Sequence, residues 1–438
     1  AVEMTQSRCK SGGYNPEPDF YVPALLSVFL FPALGGLLFG YDIGSTSFVV
    51  EQIIKGDHAG VQWDGILDNN TSLQGAVTSA SVLGALLSSM AVFKLADSMG
   101  RRMELVVGAG LYLFGAFIEA LAARPGWGSG PGLTVLILGR VIYGCGIGFS
   151  MHGAPAYIGE MSPPSVRGLL VSLKEAFIVL GILLGYLIGF LFSSTNGGWA
   201  YTYGIAMAPA AVMGIGAYSI LRESTRFLYM KGRMDESRAA MDWVLRPHAS
   251  DIAFNDMAEQ TSAIRKVSNA HSIDIDAGDH VRQASGVLST EPLSHIKPLD
   301  KSLWAARFRP ALIAGVGLVF LQQVTGQPSV LYYAASIFND AGLAAVATVG
   351  VAAFKLVMTM LAVFTVDKFG RKLLLYVGIA VMLVALVALA IAFSFTKTSD
   401  DDDNDDKSIS GTQIVILTAM FIYIGGDQIG VCPLFLLL

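Results

Sequence analysis

Long apolar runs alternate with short polar segments over most of this chain. A helix needs about 20 predominantly apolar residues to cross the hydrocarbon core of a bilayer. Ten runs meet that requirement, so the pattern predicts an all-α, polytopic membrane protein with ten transmembrane helices. The predicted spans are 22–50, 72–94, 103–123, 133–157, 168–192, 200–221, 309–335, 341–365, 373–395 and 411–438.

A short basic turn between two spans occurs twice. Asp97–Arg102 and Asp367–Lys372 both read D-x-x-G-R-[RK]. One such match arises easily by chance, whereas two at equivalent places between spans indicate an internal repeat. Parallel repeats of helix bundles are a common architecture of secondary transporters. The repeat therefore predicts two related, pseudo-symmetric helix bundles.

The polar segments divide the chain into four parts. Residues 1–21 form an N-terminal tail, and residues 22–221 form a bundle of six helices. Residues 222–308 form a polar linker with helical stretches such as Asp235 to Leu245, and residues 309–438 form a second bundle of four helices. We expect the linker to join the two bundles on one side of the membrane.

The composition agrees with a membrane protein and excludes most other classes. Only 14% of the residues are charged, whereas soluble domains carry about 25%. The three cysteines, Cys9, Cys145 and Cys432, are too few and too scattered for a disulfide framework or a metal site. No nucleophile–base pair accompanies the spans. We therefore expect neither an enzyme nor a bound cofactor, and a lipid bilayer rather than nucleic acid as the partner.

Lys and Arg residues are distributed unevenly between the two sides of the membrane. On the side opposite the N-terminus we count only Lys55, Arg124, Lys397 and Lys407. Basic residues are retained on the cytoplasmic side, so the N-terminus is predicted to be cytoplasmic. The sequence does not distinguish a plasma, vacuolar or plastid membrane. The predicted cytoplasmic segments, which hold most of the 29 basic residues, are 1–21, 95–102, 158–167, 222–308 and 366–372.

Two ionisable residues lie deep in the predicted spans of the first bundle. Asp42 is in span one and Arg140 is in span four. A charged side chain in the bilayer interior is costly, so each is a functional hypothesis. If the two are paired, Arg140 stabilises the charged form of Asp42, and weakening the pair would let Asp42 take a proton. The alternative is a permanent salt bridge that only holds the two spans together.

Further ionisable residues lie within other spans. Glu175 is in span five and Lys355 is in span eight, so one anion and one cation occupy different bundles. Stability alone is a weak reason for a buried charge pair, because desolvation offsets most of its attraction. His152, Glu119 and Asp427 are less informative, and His152 is interpreted as a polar core residue.

Span seven carries an unusual density of polar side chains. The stretch from Gln322 to Tyr333 contains three amides, two hydroxyl-bearing residues and two tyrosines, which are costly to bury without hydrogen bonds. Gly326 and Pro328 would also interrupt the helix, and exposed backbone at membrane depth is tolerated only around a cavity. A neutral, polyhydroxylated ligand fits this chemistry. The alternative is hydrogen bonding between helices without a ligand.

Together these motifs resemble the sugar porters of the major facilitator superfamily over nearly the whole chain. The runs Met151–Pro155 and Gly326–Tyr333 are most similar to the plant and algal group of xylose-symporter-like and vacuolar glucose transporters. The motifs that carry the resemblance are G-R-[RK] in both halves, Gly139-Arg140, Glu160 to Gly168, Glu223 to Arg226, and Gln322-Gln323 with Tyr332-Tyr333.

The resemblance implies transport of a monosaccharide, a hexose or a pentose, by alternating access of two six-helix halves. Proton-coupled members of the family carry an Asp at the position of Asp42, so the resemblance favours proton symport with Asp42 and Arg140 as the coupling pair. The implied sugar-binding residues are Gln322, Gln323, Gln327, Tyr332, Tyr333, Glu175, Ile182 and Lys355. The implied cytoplasmic latch is formed by Asp97, Arg101, Arg102, Glu160, Arg167, Glu223, Arg226, Asp367 and Arg371.

The chain also departs from the family pattern. Glu175 replaces a sugar-binding Gln, Lys355 replaces an Asn, and Pro328 stands where an Asn follows the glutamine pair. Because spans five and eight are neighbours in this fold, we hypothesise that Glu175 and Lys355 form a charge pair beside the sugar. Span ten lacks the Trp that packs on the sugar in the family.

Only ten of the family's twelve helices are found before Leu438, so the second bundle is expected to be incomplete at its C-terminal end. A facilitative carrier with a purely structural Asp42–Arg140 pair is one alternative function. A sugar sensor or pseudotransporter that binds sugar without moving it is another.

Overall fold

The computed structural model describes an all-helical chain. It contains fifteen named helices among the described residues, and the protein is an integral, multi-pass membrane protein. The described residues are 19–55, 59–61, 67, 70–124, 126–127, 129–259, 309–324, 326–340, 346–369, 371–396 and 411–430.

The first half contains the longest helices. They are α1 (Val22–Lys55), α2 (Thr71–Met99), α3 (Arg101–Leu121), α4 (Ser129–Met161), α5 (Pro164–Phe192), and the pair α6 (Gly198–Ile205) and α7 (Met207–Ser219). The linker contributes α8 (Thr225–Met230) and α9 (Met234–Val244), and the second half contributes α10 (Arg309–Val324), α11 (Gln327–Tyr332), α12 (Ala334–Asp340), α13 (Val346–Phe369), α14 (Arg371–Thr396) and α15 (Gly411–Gly430).

Eight segments of the described chain are long and apolar enough to cross a membrane. They correspond to the predicted spans one to six, eight and nine. The described part of the predicted tenth span, Gly411–Gly430, is helical, but its apolar part, Ile414–Gly430, is shorter than the other spans.

The predicted seventh span differs most from a continuous helix. Gly326 has a φ of +77°, in the left-handed region, and separates α10 from α11, which has a proline in its first turn. A side chain with a Cβ is strained at that φ, so the break depends on the glycine. The segment is therefore three short helices, α10 to α12, as the Gly326 and Pro328 signals indicated.

The first bundle is held together by close helix crossings at glycines. A Cβ on Gly40 would lie 1.8 Å from the Ile178 carbonyl oxygen, where α1 crosses α5. A Cβ on Gly144 would lie 2.0 Å from the Ser81 carbonyl oxygen, where α4 crosses α2. Small residues permit such backbone approach in membranes, where no hydrophobic effect drives helices together.

The two halves meet at the end of the bundle far from the Gly100 turn. The Tyr186 hydroxyl donates to the Leu331 carbonyl oxygen at 2.6 Å, and the Ala335 N–H donates to Ser47 Oγ at 2.9 Å. A shared apolar cluster surrounds these bonds and includes Phe338. Ser47 and Tyr186 lie near the C-terminal ends of α1 and α5, whereas the Gly100 turn lies beside the starts of these helices. In this conformation the halves are therefore joined at the distal end.

The linker packs on the opposite end of the first bundle. The helix predicted over Asp235 to Leu245 is found as α9, Met234–Val244. Ser224 caps α8 by accepting from the Phe227 N–H at 3.4 Å. The Tyr21 N–H donates to the Val244 carbonyl oxygen at 2.8 Å, so the start of α1 is tied to the linker.

Candidate functional site

A charge pair lies fully buried in the first bundle. Arg140 Nη1 is 3.2 Å from Asp42 Oδ1, and the two side chains are 0% and 1% exposed. The pair predicted from two separate apolar runs is therefore formed in the structure. Helices α1 and α4 bring it together, and the close crossing of α4 with α2 adds further partners.

All three nitrogens of the Arg140 guanidinium donate hydrogen bonds. Its Nε donates to the Val77 carbonyl oxygen at 2.6 Å, and its Nη1 donates to the Tyr203 hydroxyl at 2.7 Å. Its Nη2 donates to Ser81 Oγ at 3.0 Å and to Asp42 Oδ2 at 3.4 Å. The 3.2 Å ionic contact between Nη1 and Asp42 Oδ1 adds to these bonds, so every nitrogen of the guanidinium has a partner.

Hydroxyl groups complete the surroundings of Asp42. Ser81 Oγ donates to Asp42 Oδ2 at 2.8 Å, and Thr46 Oγ1 donates to Asp42 Oδ1 at 3.5 Å. Thr46 Oγ1 is also 3.4 Å from the Tyr203 hydroxyl. A buried pair offsets its desolvation only when such additional bonds satisfy the remaining polar groups. These bonds therefore satisfy the polar atoms around the pair, and a proton on Asp42 would remove its attraction to Arg140.

The predicted sugar-binding residues of the broken seventh span are described in part. The side chains of Gln322 and Gln327 lie outside the described residues, and Gln323 is exposed. Tyr333 is half-buried, whereas Tyr332 is buried and its hydroxyl has no hydrogen-bond partner among the described residues. The charged and polar groups that act electrostatically on the Tyr332 hydroxyl are Asp42, Arg140 and Tyr203. The structure therefore brings the seventh span up to the charge pair.

The structure gives Glu175 and Lys355 different ionic partners from those we hypothesised. Lys174 Nζ lies 2.8 Å from Glu175 Oε1, within the same helix, and Lys355 Nζ lies 4.0 Å from Asp427 Oδ2. The hypothesised charge pair between Glu175 and Lys355 is therefore not formed in this conformation. The long Lys174 side chain reaches the neighbouring carboxylate. Ile182 is buried in the apolar cluster between the halves.

A second polar cluster lies between α13 and α15. Gln428 Nε2 donates to Asp427 Oδ2 at 3.0 Å, and Thr359 Oγ1 donates to Gln428 Oε1 at 2.7 Å. Asp427 Oδ1 has no hydrogen-bond partner among the described residues. The sequence indicated little about Asp427, because the acidic residue stands beside glycines near the end of its apolar run.

Several members of the predicted latch converge at the Gly100 turn. Arg101 Nε lies 3.6 Å from Glu160 Oε1, and the Arg102 N–H donates to Glu223 Oε1 at 3.0 Å. Ser224 Oγ donates to Glu160 Oε2. Burial raises the pKa of Glu223 above its usual range, although the N–H donors of Arg102 and Ser224 oppose the shift.

Three other predicted latch residues, whose side chains the structure describes, form no hydrogen bond or ion pair with that network. Asp97, Arg167 and Arg226 are exposed, and Arg167 Nη2 donates to the Ser162 carbonyl oxygen at 3.1 Å. The side chains of Asp367 and Arg371 lie outside the described residues.

Glu104 is central to this turn, although no role was predicted for it from the sequence. Its carboxylate is 0% exposed and lies 2.9 Å from both Arg101 Nη1 and His152 Nδ1. The signal was the spacing of three residues between Arg101 and Glu104, which puts both on one face of a helix. His152, interpreted as a polar core residue, is half-buried and faces this acid.

We expect Glu104→Gln to lower the thermal stability of the detergent-solubilised protein strongly. Breaking a buried ion pair costs about 3–5 kcal/mol, because a charge is left unpaired. Arg233 and Glu236 form an ion pair with the same spacing on the protein surface, so Glu236→Gln is the matched control and should leave the unfolding temperature unchanged. Equal effects of the two variants in a heating series followed by size-exclusion chromatography would contradict the role of Glu104.

Solved structures with similar folds support the architecture. A structure of the proton:xylose symporter XylE bound to 6-bromo-6-deoxy-D-glucose matches 94% of this chain and 81% of that chain, with a TM-score of 0.71 and 24% identity. A partially occluded inward-open structure of XylE from E. coli matches 94% of this chain and 86% of that chain, with a TM-score of 0.68 and 24% identity. At this identity the likeness shows the major facilitator fold.

Sequence comparisons define the family. The model of the family described as "Sugar (and other) transporter" matches residues 28–438. Two relatives from Arabidopsis thaliana are 37% identical: D-xylose-proton symporter-like 3, chloroplastic, over 95% of this chain and 69% of the relative, and D-xylose-proton symporter-like 2, over 96% and 76%. The D-xylose transporter of Levilactobacillus brevis is 33% identical over 82% of this chain and 69% of the relative. The chain therefore belongs to the sugar porter family of the major facilitator superfamily, whose members are membrane transporters and not enzymes.

Proposed function

We propose that this protein carries a monosaccharide, a hexose or a pentose, across the membrane together with protons, by alternating access. The observation that carries the proposal is the buried Asp42–Arg140 pair, which is 3.2 Å apart and sealed from water. Two of the relatives are named D-xylose-proton symporter-like proteins, which supports the coupling but does not specify the sugar of this chain.

The energy of the pair is of the size that coupling requires. Breaking a buried ion pair costs about 3–5 kcal/mol, and about 5.5 kcal/mol reverses a two-state equilibrium from 1:99 to 99:1. A proton on Asp42 abolishes the charge that Arg140 attracts. One protonation can therefore shift the balance between two conformations by about two to four orders of magnitude.

The broken seventh span would bring the sugar close to this pair. The amides of Gln322, Gln323 and Gln327 donate and accept hydrogen bonds, as sugar hydroxyls require, and Tyr332 and Tyr333 offer aromatic faces. Tyr332 also extends to the electrostatic surroundings of Asp42, so sugar and proton would act on neighbouring groups. The further proposed sugar-binding residues are Glu175, Ile182 and Lys355.

The proposal includes an orientation. With the N-terminus in the cytoplasm, the Gly100 turn and the linker lie on the cytoplasmic side and the Tyr186–Leu331 contact lies on the outer side. The conformation described above would then be closed outward. Arg101, Glu160 and Glu223 would form part of a latch that exchanges contacts when the cytoplasmic side closes.

Uptake into proteoliposomes tests the function. Labelled D-xylose and D-glucose are supplied with an inward proton gradient, without one, and with an uncoupler. For one proton per sugar, a gradient of one pH unit sustains about a tenfold accumulation, equivalent to 1.4 kcal/mol. A facilitative carrier would equilibrate either sugar and ignore the gradient. Binding without counterflow would indicate a sensor, and would overturn the transport proposal for these sugars.

A further inference from the structure

Glu119 is a second carboxyl group buried beside the charge pair. It lies on α3, is 1% exposed, and its Oε1 has no hydrogen-bond partner among the described residues. A Cβ on Gly139 would lie 2.9 Å from Glu119 Cγ. The acid therefore packs directly against the residue that precedes Arg140 in the chain.

All three nitrogens of Arg140 already have other partners. The guanidinium donates to Val77, Tyr203, Ser81 and Asp42 Oδ2, and its Nη1 also makes an ionic contact with Asp42 Oδ1. Glu119 is near enough for the charge of Arg140 to act on it, but no donor of Arg140 reaches it. An ionised carboxylate without a hydrogen bond is very costly in a dry interior. A protonated Glu119 avoids that cost.

The titratable groups around Glu119 come from three elements. Helix α1 contributes Asp42 and Tyr41, α4 contributes Arg140 and Tyr143, and α6 contributes Tyr203. Helices α2 and α7 carry their own titratable groups, Lys94, Asp97 and Tyr218, near the Gly100 turn at the other end of the bundle. Arg140 is thus the cation, and Asp42 the competing anion, in the surroundings of Glu119.

An apolar cluster covers the distal side of this region. It includes Leu136 on α4, Trp199 and Tyr203 on α6, and Ala122 just beyond the end of α3. Ala122, Leu136 and Trp199 are fully buried. Water is therefore excluded from this region. Because Arg140 is the cation there, we expect only one of the two acids, Asp42 or Glu119, to be ionised at a time.

We propose that Glu119 is the reserve counter-ion of Arg140 and a second proton-carrying group of the coupling site. This proposal rests on the proposed proton-coupled transport. When Asp42 takes a proton and releases Arg140, the freed N–H groups bind the Glu119 carboxylate. The O–H bond of Glu119 breaks as an O–H bond forms on Asp42, so one positive and one negative charge remain. The hydrogen-bonded hydroxyls of Tyr203 and Thr46 link Arg140 to Asp42 Oδ1.

A double-mutant cycle on stability tests the proposal without relying on transport. Asp42→Asn and Glu119→Gln are combined, and the fraction of protein that survives heating in detergent is measured by size-exclusion chromatography. Each single variant leaves Arg140 with one anion and should survive nearly as well as the unmodified protein. The double variant leaves Arg140 without any anion. If the two substitutions acted independently, their effects on the folded-to-unfolded ratio would multiply. The ratio of the double variant should be at least tenfold lower than that expectation, which is equivalent to about 1.4 kcal/mol of coupling.

The matched control uses another buried acid of the same helix. Glu104→Gln combined with Asp42→Asn should be additive, because Glu104 faces Arg101 and His152 rather than Arg140. Additivity of the Asp42–Glu119 pair would overturn the proposal even if the protein proves to be a symporter.

A transport measurement adds a readout that a purely structural role would not change. Glu119→Gln should shift the pH profile of gradient-driven uptake of labelled D-xylose. A profile that superimposes on that of the unmodified protein would also overturn the proposal. If the unmodified protein shows no response to a proton gradient, the proposed symport fails, while the stability cycle still decides whether Glu119 and Asp42 share Arg140.

Discussion

Replacing Asp42 with Asn is expected to abolish accumulation of sugar against its gradient while sugar counterflow continues. The Asn amide has nearly the shape of the protonated acid, but it cannot lose a proton. The side chain can still accept from Ser81, which now donates to Asp42 Oδ2 at 2.8 Å. The tenfold accumulation expected per pH unit should therefore fall to simple equilibration. Uptake and counterflow in the same proteoliposome preparation separate the two effects.

The control for this prediction is an Asp outside the bundle. Asp235 is exposed on α9 and remote from the charge pair, so Asp235→Asn makes the same chemical change without touching Arg140. It should leave accumulation unchanged. Accumulation by the Asp42→Asn variant at the level of the unmodified protein would show that another group binds the coupled proton or that the gradient acts elsewhere.

The charge pair itself could be predicted from the sequence. Asp42 and Arg140 each interrupt a long apolar run, and an ionisable residue in such a run is a strong signal because its burial is costly. Their hydrogen-bond partners could not be predicted. Ser81 and Tyr203 are polar residues of a kind that occurs in many spans, and the Val77 carbonyl oxygen carries no sequence signal.

The charge partners of Glu175 and Lys355 show where the sequence stops being informative. Knowing that two spans are neighbours does not fix which faces of the helices meet, because helix rotation and tilt depend on the packing of many side chains. Lys174 is adjacent to Glu175 in the chain and close in space. Lys355 instead lies near Asp427, on a helix whose acidic residue gave only a weak signal.

The helices themselves follow closely from the apolar pattern, because backbone polar groups in a membrane must be satisfied within each segment. The break in the seventh span was also visible, since Gly326 and Pro328 interrupt a polar stretch. The importance of Glu119 was underestimated, because its place in the sequence suggested that it is exposed to water. It lies two residues from the end of α3, where an acid is usually solvated. Only the structure shows that α4 and α6 cover it.

Replacing Gly144 with Ala is expected to destabilise the first bundle and eliminate transport. A Cβ at that position would lie 2.0 Å from the Ser81 carbonyl oxygen, whereas real Cβ atoms essentially never come closer than 3.0 Å. Helices α2 and α4 must therefore separate by about 1 Å. The Arg140–Ser81 hydrogen bond, now 3.0 Å, would lengthen beyond hydrogen-bond range. Overpacking costs about 1–3 kcal/mol, and the buried guanidinium loses partners in addition.

Gly110→Ala provides the matched control, since Gly110 lies within α3 and nothing is within 4 Å of the added carbon. Alanine is favoured over glycine in a helix by about 1 kcal/mol, so this variant should be as stable as the unmodified protein or more stable. The same substitution thus has opposite expected signs at the two positions, and heating series with uptake assays measure both. If Gly144→Ala were as stable and active as Gly110→Ala, close contact between α2 and α4 would not be what holds Ser81 against Arg140.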